Sequence, residues 1–394
     1  MVTERIKNIT PSATCELEGT VAELEAAGVH VIGLNAGEPD FRTPDNIVEA
    51  CDRAIAEGKT KYVSITGIPE LKRAICAKLE KDNGVHYEPN CIAISTGAKQ
   101  ALYNGIMTVV EPGDEVIIPI PAWVSYVEMV KLAQGVPVLC DLAEDYQLDL
   151  AEIEKSITPK TKAIIINTPN NPTGGVYTEE SLRALADLAV KHDFFIISDE
   201  VYEKLIYNGK KHFCVASVSP EVRDRTILIN GFSKAYAMTG WRIGYSATTP
   251  EICKGISDLQ GHTTSNSTTP VQWAAVEALT GQQDTVEYMR TKFDERRKYL
   301  YKRLTAMPGI ECQSVDGAFY LFPDVSSYFG KSWGKWEIKT STDLCAYLLD
   351  EAHLAVVPGD AFYAPKKIRI AYSNSLENIR EGMDAMEAAL AKLK

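Results

Sequence analysis

Apolar and polar residues along this chain follow two rhythms, one helical and one of short unbroken apolar runs. Over residues 43–58 the spacing is helical. Thr43 stands as N-cap, Pro44 at the first helical position, and Ile47, Val48, Cys51 and Ile55 fall on one face. Residues 71–79 predict a second helix. Apolar runs then recur at 91–95, 115–119, 136–139, 162–167, 194–198, 226–230 and 242–245, separated by helical stretches such as the one that opens at Lys99. Strands apolar on both faces are covered on both faces, so the pattern predicts an α/β fold: a mostly parallel seven-stranded sheet between helices.

This core is expected over residues 45–285. Beyond it, 285–304 reads as a long, charged amphipathic helix. The tail alternates strand-like runs at 318–322, 355–358 and 367–371 with helices at 341–352 and 375–393. Residues 286–394 are therefore expected to form a smaller α+β domain, joined by the segment 1–44 and closing over substrate. The length of 394 residues suits two such domains. No repeat, low-complexity tract or flexible linker interrupts the pattern.

Composition narrows the class of function. The 45% hydrophobic and 24% charged residues are those of an ordinary globular protein. A formal charge of −12 disfavours nucleic acid and anionic membrane as partners, while leaving room for a local cationic pocket. The nine cysteines are scattered without a Cys-x-x-Cys pair, which points to neither a disulfide framework nor a metal site and suits a reducing compartment. The first residues are charged and lack an apolar leader, and no apolar run reaches about 18 residues, so a cytoplasmic, unprocessed protein is expected.

In open α/β sheets ligands bind beyond the carboxyl ends of the strands, and the polar residues here follow the apolar runs at once. Ser95-Thr-Gly-Ala-Lys99 is a turn into a helix, where the amides of Ala98 and Lys99 could hold a phosphate or simply punctuate strand and helix. Asn167-Thr-Pro-Asn-Asn-Pro-Thr-Gly-Gly175 fixes a backbone and offers the amides of Asn170 and Asn171. Asp199 ends a strand, with Tyr202 three residues on; alone it could be a helix cap. Lys234 lies among small, aromatic and apolar residues eight positions before Arg242, as suits a desolvated amine beside an anion, or a snorkelling surface lysine.

The motifs Asn-Asn-Pro-Thr-Gly, Ser-Asp-Glu-x-Tyr, Ser-Lys and Gly-Trp-Arg-Ile-Gly together resemble those of the fold-type I, class I pyridoxal-phosphate aminotransferases, nearest the aspartate aminotransferase group. The likeness runs from Gly37-Glu-Pro-Asp40 to Arg369. It implies a pyridoxal 5'-phosphate cofactor and a ping-pong exchange of an amino group between L-aspartate and 2-oxoglutarate. Lys234 would form the Schiff base and carry the proton, Asp199 would pair with the ring nitrogen, and Asn171 and Tyr202 would bond the phenolic oxygen. Trp123 would stack on the ring. Arg242, with the Ala98 and Lys99 amides, would clamp the phosphate.

Many relatives carry a serine three residues before the lysine, where this chain has Gly231. Tyr62 matches a tyrosine that completes the neighbouring subunit's site, which implies a homodimer. Arg369 would grip the α-carboxylate beside Gly37, while Lys99, Ser12 and Thr14 would serve the side-chain carboxylate. Related reactions remain open: transamination of prephenate or aromatic amino acids, or β-elimination. A cofactor-sensing DNA-binding regulator would need a basic helix-turn-helix extension, and a nicotinamide oxidoreductase a Gly-x-Gly-x-x-Gly turn; neither is present.

Overall fold

A computed structural model describes residues 2–394; Met1 lies outside the described residues. Seven strands form the main sheet: β1 (Ile92–Ser95), β2 (Glu115–Ile120), β3 (Val136–Asp141), β4 (Thr161–Asn167), β5 (Phe195–Asp199), β6 (Thr226–Gly231) and β7 (Gly244–Ala247). Their order is β1-β7-β6-β5-β4-β2-β3. The run from β6 to β3 is parallel, whereas β7, although buried throughout, is antiparallel to both β1 and β6.

That reversal matters for the site. The start of β7 lies at the same edge as the carboxyl ends of its neighbours, with Gly244 in register with both Ser95 and Gly231. At the centre, Asn167 of β4 is level with Asp199 of β5. One edge of the sheet therefore collects the residues that follow β1, β4, β5 and β6 together with those that precede β7.

Two local expectations are corrected. The first helix of the core is Asp45–Ala56, with Pro44 as its cap residue; the Thr43 hydroxyl instead donates to the Ala237 carbonyl and accepts from Trp241 Nε1. Its buried face is Ile47, Ala50, Cys51 and Ala54, and Ile55 points outward, because small alanines allow the close approach of helix Thr269–Thr280. The last run expected as a strand, 242–245, is shifted two residues on. Arg242 sits in the preceding turn at φ +53°.

The chain's two ends meet beyond the sheet. Ile32–Gly33 pairs in parallel with Leu354–Ala355. Beside them β8 (Tyr320–Leu321), β9 (Val357–Pro358) and β10 (Ile368–Ala371) form an antiparallel sheet with β10 at its centre. An apolar cluster unites Ile32 and Leu34 with side chains from Met289 to Leu393, and Val201, Tyr202 and Leu205 from the main sheet's edge join it. The long helix Asp284–Ala306 holds the loop after Ile32–Gly33 in place: Arg296 forms a two-pronged pair with Asp40 at 2.7 and 2.9 Å.

Candidate active site

Asp199 ends β5 in a fully enclosed position. Its backbone carbonyl accepts from Asn167 Nδ2 at 2.9 Å, and its carboxylate accepts from the Tyr126 hydroxyl at 2.7 Å and from the Val201 amide. Burial raises its pKa to about 6, and the Tyr126 and Val201 donors, with the Lys234 charge, hold it from rising further. A buried carboxylate with two fixed donors can still hold a cationic ring nitrogen through one of its oxygens.

Lys234 lies in the turn after β6, and its amine donates to the Gly37 carbonyl. The Nζ atom stands 5.9 Å from the centre of the Tyr202 ring and 5.8 Å from that of Phe319. Burial pulls its pKa down to about 8; Glu38 and Asp199 oppose this, while the cations Arg369 and Arg242 add to it. Near neutrality this amine loses its proton far more readily than an ordinary lysine, which is what a nucleophilic amine needs.

The turn between β1 and helix Ala98–Val109 forms an anion cradle. Gly97 has φ +83°, and a Cβ there would come within 2.6 Å of Arg242 Nη2, so only glycine lets the guanidinium lie against the turn. Ala98 and Lys99 head the helix, where backbone N–H groups have no carbonyl a turn earlier to bond. Gly231 is packed less tightly but leaves little room: a Cβ would lie 3.3 Å from the Ile243 carbonyl and 3.5 Å from Ala98 Cβ. The missing serine thus leaves close packing rather than a gap.

Opposite the cradle, Arg369 projects from β10 and is buried. Its Nη1 donates to Asn171 Oδ1 at 3.0 Å and its Nη2 to the Asn35 carbonyl at 2.7 Å. Its Nε has no hydrogen-bond partner among the described residues. The guanidinium lies between the rings of Tyr320 and Phe362, 4.5 and 5.1 Å from their centres. Asn171 itself is fixed by its backbone N–H, which donates to Asn167 Oδ1.

A cavity of about 630 Å³ joins these groups, walled by Gly37, Ala98, Lys99, Trp123, Asn171, Asp199, Tyr202, Lys234, Arg242 and Arg369, with Thr14 at its side. The Lys99 amine lies 5.0 Å above the Trp123 ring. Two candidates stand outside the wall. Ser12 reaches it only through a hydroxyl pair with Thr14 at 3.0 Å, and Tyr62 is 90% exposed. Sequence reasoning missed Tyr126, Asn167, Glu38 and Tyr320, all of which line the same cavity. The Asn167 position was legible as the strand end before the double-asparagine turn. Tyr126 and Tyr320 sit inside apolar runs that read as core.

The arrangement offers an anion cradle, a buried carboxylate, an amine of lowered basicity and a buried arginine with a spare donor. Residues 29–386 match the model of the family "Aminotransferase class I and II". The chain belongs to this family.

Among the aminotransferases to which it is similar, the aspartate aminotransferase of Bacillus sp. (strain YM-2) is 46% identical over 389 residues, covering 98% of each chain. The probable aspartate/prephenate aminotransferase of Aquifex aeolicus (strain VF5) is 45% identical over 393 residues, covering 99% of this chain and 98% of that one. The crystal structure of the aspartate aminotransferase from Rhizobium meliloti superposes with a TM-score of 0.96 at 39% identity, over the whole of both chains. The Thermus thermophilus aspartate aminotransferase with maleate gives 0.93 at 40% identity over 99% of each. The fold-type expectation, a mostly parallel seven-stranded sheet between helices, is met by this aminotransferase fold. Among its described residues no helix is long and apolar enough to cross a membrane.

Proposed function

We propose that this aminotransferase moves the amino group of L-aspartate to 2-oxoglutarate with pyridoxal 5'-phosphate bound in the cavity. The observation that carries the reading is Lys234, an amine lowered to about pH 8 in a wall shared with Asp199, Arg242 and Arg369. The donor set fits the cofactor: a glycine-lined cradle against Arg242 for phosphate, a buried carboxylate for a ring nitrogen, and an amine for an aldehyde. When bound, the cofactor supplies an electron-accepting ring that stabilises negative charge at the carbon bearing the amino group.

The chain's own residues do the rest. Arg242 and the Ala98 and Lys99 amides hold the phosphate. Asp199, fixed by Tyr126 and Asn167, would keep the ring nitrogen protonated, and Trp123 would cover the ring. Asn171 and Tyr202 face the phenolic oxygen. The Lys234 amine would hold the cofactor's aldehyde carbon, and its lowered basicity would let it carry the proton at the substrate's α carbon.

Arg369 takes the α-carboxylate through its unpartnered Nε and its outer nitrogens, beside the Gly37 backbone. Lys99, with Thr14 and Ser12 behind it, faces the side-chain carboxylate, which favours dicarboxylic substrates over neutral ones. Residues 1–44 and 286–394 act as the closing domain over the body 45–285, excluding water once substrate binds. The exposure of Tyr62, away from its own cavity, supports its service to the neighbouring site in a homodimer.

Purified protein loaded with cofactor should convert aspartate and 2-oxoglutarate into oxaloacetate and glutamate. Release of ammonia from aspartate with no glutamate formed would instead sink the transaminase reading. The Aquifex relative's printed name also supports prephenate as a second amino acceptor, since it too is a dicarboxylate. Mixing the amino-loaded form with prephenate and with 2-oxoglutarate separately tests this by the relative rate of return to the aldehyde form.

A further inference from the structure

Tyr320 has no part in the roles above, yet it touches three pieces of the site. It opens β8, opposite Ala371 in register, and is fully buried. Its hydroxyl lies 2.8 Å from the Tyr202 hydroxyl. Its ring lies 4.5 Å from the Arg369 guanidinium carbon. A Cβ on Gly37 would come within 2.7 Å of its hydroxyl, so the oxygen fills the space beside the residue whose carbonyl accepts from Lys234.

A phenylalanine would stack on Arg369 equally well, so the hydroxyl needs its own account. Two buried phenols in contact hold two protons and use one between them. If Tyr202 donates to Tyr320, its proton is turned away from the cavity. If Tyr320 donates to Tyr202, the Tyr202 proton is free to point inward, and the bond it receives polarises it into a stronger donor. An anionic oxygen in the cavity selects the second arrangement.

We propose that Tyr320 is a positioning residue with two separable duties: its hydroxyl donates to Tyr202 and so turns the Tyr202 proton toward the bound ligand, and its ring holds the Arg369 guanidinium flat for a carboxylate. The proposal rests on the cofactor reading above. The other charged and titratable groups of the cavity wall are Cys15, Glu18, Glu38, Lys99, Tyr126, Asp199, Lys234, Arg242 and Arg369, and a Tyr320→Phe change leaves all of them in place.

The test uses protein loaded with pyridoxal phosphate, its visible absorbance titrated between about pH 5 and 10. With Tyr202 a weaker donor, the ionised phenolic oxygen of the cofactor loses support and its protonated form persists to higher pH. Tyr320→Phe is expected to raise the midpoint by roughly 0.3 to 1 unit, in the same direction as Tyr202→Phe but by less. Its affinity for maleate, a dicarboxylate probe, should stay within about twofold of wild type, whereas Tyr320→Leu should weaken maleate about tenfold. A Tyr320→Phe midpoint equal to wild type, with Tyr202→Phe shifted, overturns the hydroxyl's role and leaves the cofactor reading standing. A wild-type protein with no titrating band overturns both. Unchanged maleate affinity in a folded Tyr320→Leu protein overturns the ring's role.

Discussion

The Tyr126 hydroxyl donates to Asp199 Oδ2 at 2.7 Å, across 73 residues of sequence and inside the core. This bond favours the ionised carboxylate against a burial cost that already lifts its pKa to about 6. Tyr126→Phe should lift it further, so that Asp199 is protonated over more of the range below neutrality. Cofactor affinity is then expected to fall about tenfold near pH 6.5 and by less near pH 8, since a bond to a charged group is worth about 1.5–3 kcal/mol. Fluorescence titration of the apoprotein at the two pH values measures it; an equal loss at both would refute a role through Asp199.

Lys234 costs the fold something. Its folded pKa of about 8 lies below the ordinary 10.5, so the folded apoprotein favours the neutral amine. Stability from this group is fully present above 10.5 and is lost as pH falls through about 8. Lys234→Met should therefore abolish transamination yet stabilise the apoprotein at pH 7, by about 1–2 kcal/mol after allowing for the solvent that reaches the cavity. The gain should shrink as pH rises from 8 toward 10.5. Urea unfolding at pH 7 and pH 10 provides the comparison.

Lys99 lies over the Trp123 ring and is the cation proposed above for the substrate's distal carboxylate. Lys99→Met should raise KM for aspartate about tenfold or more while changing turnover of alanine little, because only the dicarboxylate loses a partner. Steady-state kinetics with both donors gives the ratio. An equal loss for both would place Lys99 with the cofactor instead.

The turn that follows β5 carries a buried charge network. Lys78 pairs with Glu203 and with Asn83 Oδ1, and His212 Nε2 meets Glu200 Oε2 at 2.6 Å. Glu200 follows Asp199 and Glu203 follows Tyr202, so both pairs brace the same turn. Burial alone would raise Glu203, but Lys78, His212 and Lys204 outweigh it and bring its pKa to about 2. Lys78→Met should destabilise by about 3–5 kcal/mol, and adding Glu203→Leu should restore much of that. For His212, burial is outweighed by Glu200, and its pKa lies above 6.5. Its contribution is present below pH 6.5 and lost as pH rises through the folded value. His212→Gln should remove that slope from a stability-versus-pH series.

Much of this site was legible because its chemistry is local to strand ends. Asn171, Asp199, Tyr202 and Lys234 each follow an apolar run within a few residues, and the sheet edge brings them together. Arg242 was found for a reason that proved incomplete. It precedes its strand rather than following one, and it reaches the edge because β7 runs backward and the turn adopts a positive φ. Tyr126 shares its helix with buried Val127, Met129 and Val130, and no local spacing says that one hydroxyl of that apolar face reaches Asp199. Tyr320 lies in the run Ala-Phe-Tyr-Leu-Phe, whose period speaks only of burial. The outward turn of Ile55 depended on a neighbouring helix more than 200 residues later.

Arg369 bonds the Asn35 carbonyl across 334 positions, and Lys234 bonds Gly37 across 197. During synthesis, then, the sheet and its strand-end residues are made while the arginine proposed to grip the carboxylate does not yet exist. Only when the last strand emerges and pairs does the grip close around residues made at the very start. On the proposed role of Arg369, ligand capture is thereby a late event, reached only when the strand that carries it has paired.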